Sequence, residues 1–187
     1  MNQTAGVNAA RRWIVMACLL ALATGPTPAR ADAGDWDALT FLVGDWVAAG
    51  PTELGSAQGA AVFAFELNHQ ILVRRSFAEY KNGAAAGTRH DDLLIIYRDG
   101  PAGGVRAMYF DSEGHTIHYG VTVPAPGKAI LESDAAEAGP RYRLSYAIDG
   151  PSLRGTFEVA PPGTAAYKTY LSWISTKRRS PGTVEPR

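Results

Sequence analysis

Cysteine is nearly absent: Cys18 is the only one among 187 residues. It stands inside the apolar run IVMACLLALA, residues 14–23. A chain that loses that run has neither a disulfide framework nor thiolate chemistry. Long apolar runs are lacking as well, since ten residues are too few to cross a bilayer. With Arg11 and Arg12 before the run and Ala29-Arg30-Ala31 after it, the segment reads as a secretory signal cut after Ala31. The arginine pair also permits the twin-arginine route. Charge of one sign is missing too. Without the three arginines of residues 1–31, 15 Lys and Arg stand against 18 Asp and Glu, a net of −3. With no basic face, RNA-binding motif or long charge run, nucleic acid is excluded as a partner. No P-loop, dinucleotide fingerprint or Ser-His-Asp nucleophile elbow occurs.

The expected organisation is a signal peptide (1–31), one domain (32–179) and a disordered tail (180–187). A mature chain of 156 residues would be periplasmic or secreted, without stable membrane insertion after cleavage. It is long enough to bury roughly two-thirds of its unfolded surface in one core. The domain opens with a short helical turn: Asp35 is placed to cap it, Trp36, Leu39, Leu42 and Val43 form an apolar stripe, and Gly44 ends it. Beyond it no helical periodicity lasts a dozen residues. Alternation with turn punctuation predicts strands at 46–50, 58–67, 70–80, 90–97 and 105–110. Five more are predicted at 115–123, 128–134, 141–148, 152–159 and 167–177, leaving a loop at 51–57. Links as short as Asn82-Gly83 and Asp149-Gly150 join antiparallel neighbours. Ten such strands in order predict an all-β, antiparallel up-and-down barrel, which removes exposed edges; a two-sheet sandwich is the alternative.

The stretch Phe41-Leu42-Val43-Gly44-Asp45-Trp46 resembles the G-x-W opening of the calycins: lipocalins, fatty-acid-binding proteins and nitrobindin-like barrels. The mature chain also resembles secreted bacterial domains of unknown function with this opening and stretches such as "RHDDLLIIY" and "APPG". The calycin resemblance implies a helical turn closing the barrel floor, with Gly44 and Trp46 in structural places above it. It also implies that Lys177 or Arg178 of the last strand stacks on that indole. Ten strands match the fatty-acid-binding and nitrobindin-like barrels better than the eight of lipocalins. Haem is the cofactor that nitrobindin-like barrels hold, through a histidine on a late strand, but the last four strands here contain none.

Only four histidines occur. On a strand, residues three apart face opposite ways, so His115 and His118 cannot chelate one ion together. The turn Asp111-Ser112-Glu113-Gly114 predicts a glycine bulge that sets Asp111 opposite His115. His115 then lies inward or at the rim, bonded to Asp111, and His118 lies at the surface. His90 and Asp92 share a face of the fourth strand; with His115 or His118 they match a two-histidine, one-carboxylate iron triad. In "HQILVRRSFAEY", Ile71, Val73, Arg75, Phe77 and Glu79 share a face, so an inward Arg75 would suit an anion; Arg74 inward is the alternative phase. The reading that follows is an exported barrel, a binder rather than an enzyme. Its partner is a small apolar or amphipathic, and conceivably anionic, molecule. Arg75, His90, Asp92, Tyr109, His115, Tyr119 and Tyr146 are its expected polar contacts. No cofactor is expected. The competing readings are an oxidoreductase or isomerase using iron or haem at His90, Asp92 and His115, and a structural envelope protein with a filled barrel.

Overall fold

The computed structural model describes residues 34–100, 104–134 and 139–178. The expected signal segment, with Arg11, Arg12, Cys18 and the cleavage point after Ala31, lies outside the described residues, as does the tail 180–187. Helix α1 (Gly34–Ala38) runs into a 3-10 turn (Leu39–Leu42). Asp35, expected ahead of the helix as its cap, lies within α1 instead. The strands β1 (Gly44–Thr52), β2 (Gly55–Glu66), β3 (Ile71–Tyr80), β4 (Arg89–Arg98) and β5 (Val105–Asp111) follow. They continue as β6 (Thr116–Ala125), β7 (Lys128–Ser133), β8 (Arg141–Asp149), β9 (Ser152–Ala160) and β10 (Lys168–Lys177). Each pairs antiparallel with its chain neighbours, and β10 returns to β1, so the sheet is a closed ten-stranded barrel and not a sandwich. Among the described residues, no helix is long and apolar enough to cross a membrane.

Trp46 organises the floor. Its indole is buried, 2% exposed, and its Nε1 donates to the Leu42 carbonyl at 2.7 Å. That bond ties the 3-10 turn, with buried Leu39 and Leu42, under the barrel. Lys177 Nζ lies 5.1 Å from the centre of the indole ring, and Arg98 stacks over Trp36. Gly44 has φ +133°, a conformation L side chains rarely adopt, and a Cβ there would lie 3.2 Å from Lys177 Cε. The spacing Gly44-x-Trp46 thus has a local cause: the indole plugs the floor and the glycine makes room for the lysine covering it.

One expected boundary is corrected. β1 continues through Pro51, and the loop placed at 51–57 shrinks to a tight turn before Gly55. A proline is tolerated in that strand because β10 pairs with β1 only at Trp46, Val47 and Ala48, leaving the rest of β1 as an edge on that side. In its place, the Glu53 carboxylate accepts two bonds of 2.7 Å from β10, from the backbone N–H and the hydroxyl of Ser172.

Candidate functional site

Above Trp46 lies a cavity of about 870 Å³, open at the mouth of the barrel. Its walls are largely apolar, with Phe63, Leu144, Leu153, Phe157 and Trp173 among the lining residues. Phe63 and Trp173 each meet the Tyr146 ring edge to face, at 5.5 and 6.3 Å. Trp173 pairs across the ladder with Gly155, where a Cβ would lie 2.2 Å from the indole; the glycine lets the ring lie across β9. Near the mouth, successive residues of β1 (Ala49, Gly50, Pro51) and β10 (Leu171, Ser172, Trp173) all border the cavity.

Strand register places a polar strip on the wall formed by β3, β4 and β5. Arg74 stands opposite Leu94, and Leu94 opposite Tyr109; one step up, Ser76 stands opposite Asp92, and Asp92 opposite Asp111. Arg74 and Asp92 are therefore diagonal neighbours on one face. Arg74 is 5% exposed; its Nη2 donates to Asp92 Oδ1 at 2.5 Å and its Nη1 to the Tyr146 hydroxyl across the barrel. Nε has no partner. Burial opposes the charge on Arg74, but Asp92 and then Tyr146 hold the guanidinium above its ordinary range, so it stays ionised. The phenols respond oppositely. Burial pushes Tyr146 up to about 12 and raises Tyr109 and Tyr119, so all three are neutral hydroxyls near pH 7.

Toward the mouth the strip continues as a bonded chain. His90 Nδ1 lies 2.7 Å from Glu113 Oε2, and its Nε2 lies 3.0 Å from the Tyr109 hydroxyl. Tyr109 donates to Asp111 Oδ2 at 3.3 Å, and the His115 ring donates to the same oxygen at 2.8 Å. The Asp111 Oδ1 atom accepts the backbone N–H groups of Glu113 and His115. Burial would raise the Asp111 carboxyl, but the backbone and ring bonds from His115 hold it below its ordinary value. The Asp111 turn forms as expected: Gly114, at φ +89°, bonds back to the Asp111 carbonyl. His115 stands at the rim, 69% exposed, and His118 is at the surface.

The iron triad read from the sequence is not assembled. His90, Asp111 and Glu113 bring ligand atoms within 4.8 Å of one another; Asp92 and His115 are not in that group. Asp111 in that cluster already accepts four hydrogen bonds, about all a carboxylate can take. His90 Nδ1 lies beside Glu113, and its Nε2 beside the Tyr109 hydroxyl. His115 reaches only the rim.

Six of the seven expected contacts, His90, Asp92, Tyr109, His115, Tyr119 and Tyr146, line the cavity. Arg75 does not. It points outward, its side chain 63% exposed, and pairs with Glu66 at 2.5 Å. Arg74 takes the buried place. The signal for this lay in the strands on either side: Phe63 of β2 and Leu94 of β4 both stand opposite Arg74. Compared with known protein families the chain matches none, and no curated protein is similar to it.

Proposed function

We propose that the protein is an exported, calycin-like carrier that holds one small apolar or amphipathic molecule inside its barrel. The observation that carries this reading is the cavity itself: about 870 Å³, walled by aromatic and aliphatic side chains, with one polar strip centred on Arg74. An apolar enclosure with a few placed polar groups is the usual form of a small-molecule site. Export is supported by the signal-like sequence ending at Ala31, and the calycin reading by the floor built from Gly44, Trp46 and Lys177.

Native mass spectrometry of protein recovered from the exported fraction tests this. A chain starting at Asp32 is expected, with one small-molecule adduct that organic solvent removes. N-phenyl-1-naphthylamine should then bind the emptied barrel saturably at 1:1. In Ala78→Trp, an indole placed among the lining residues should weaken that binding by about tenfold or more. Absence of both adduct and saturable binding would overturn the carrier reading; unchanged affinity in Ala78→Trp would place the probe outside the barrel.

A further inference from the structure

We infer that the polar end of the bound molecule is a neutral carbonyl oxygen, of the ketone, ester or amide class, and not a carboxylate. The inference rests on the carrier reading and deepens it. Three observations fix the chemistry. The charge on Arg74 is already matched by the Asp92 carboxylate at 2.5 Å, and the strip carries a further carboxylate, Asp111, toward the mouth. A second anion beside that pair would give the strip an uncompensated negative charge away from water, which is a large cost. The groups left over are donors. Among the described residues Arg74 Nε–H has no partner, but it is closed off even from the cavity; the Tyr119 hydroxyl bonds to no described residue and is the donor within reach. Tyr146 accepts from Arg74, so its own O–H is also free to donate. Tyr119 and Tyr146 are both 1% exposed and both line the cavity.

An acceptor oxygen without charge meets all these conditions. It satisfies unpaired donors and leaves the ion pair intact. An alkane would leave the donors unmatched, and a carboxylate would have to displace Asp92 from Arg74. The alkyl part would extend along Phe63, Phe157 and Trp173.

Displacement of bound N-phenyl-1-naphthylamine at pH 8 by decan-2-one, decanoate and decane tests the inference with matched chains. Decan-2-one is expected to bind about tenfold tighter than decane, the scale of one hydrogen bond to a desolvated donor, and decanoate no tighter than decane. In Tyr119→Phe the ketone should lose most of its advantage over decane, while an unchanged circular-dichroism spectrum and melting transition show that the barrel is folded. Decanoate binding tightest would overturn the inference in favour of an anion displacing Asp92. Equal binding of ketone and alkane, or a ketone advantage untouched in Tyr119→Phe, would also overturn it and leave the carrier reading standing. Failure of all three to displace the probe would remove both.

Discussion

The guanidinium of Arg74 leaves water only because Asp92 stands 2.5 Å away and the Tyr146 hydroxyl accepts from its other prong. Removing one partner of such a pair strands the other charge, so Asp92→Ala should destabilise the fold by roughly 3–5 kcal/mol. Arg75→Ala removes only an exposed pair with Glu66 and should cost less than about 1 kcal/mol. Chemical denaturation of the two variants checks the contrast; equal losses would mean that the buried pair is not what stabilises this wall. The alternation within β3 alone could not separate these neighbours. In "ILVRRSF" both alternating phases carry apolar residues, and eight residues between β3 and β4 hide the register that decides between them. The Asp111–His115 contact was legible, because a four-residue turn fixes its own geometry.

Among the elements, the ten strands were readable because each alternates and each is bounded by turn chemistry. The reach of β1 was not readable, since Pro51 looks like a strand breaker until one knows that β10 has left that edge. The floor turn was legible through Gly44 and Trp46, whose spacing reflects a bond to Leu42 and a lysine overhead. Trp46→Ala removes both the plug and that tie. A loss of roughly 3–5 kcal/mol is expected from the cavity left behind. A loss below about 1 kcal/mol would mean that the 3-10 turn closes the floor without the indole.

At the scale of the whole molecule, the ladder between β1 and β10 is the shortest in the barrel, three residue pairs beside the floor. Toward the mouth the two strands are joined by Glu53 and Ser172. Glu53→Ala should therefore speed amide hydrogen exchange at Leu171 to Ile174 while leaving Trp46 and Val47 as protected as before. Unchanged exchange in that stretch would mean that packing alone holds the gap.

A ring of strands resists widening as a hoop does, by tension carried all the way round, and no part can stretch unless some joint gives. At the floor the hoop is continuous, so its girth is fixed by ladder bonds and by Trp46. At the mouth it is a split hoop fastened by a single clasp, two exposed bonds on the order of 1 kcal/mol each. Opening that clasp lets the upper circumference grow without disturbing the core below. For the proposed carrier, this amounts to a rigid base beneath a collar that two bonds hold shut.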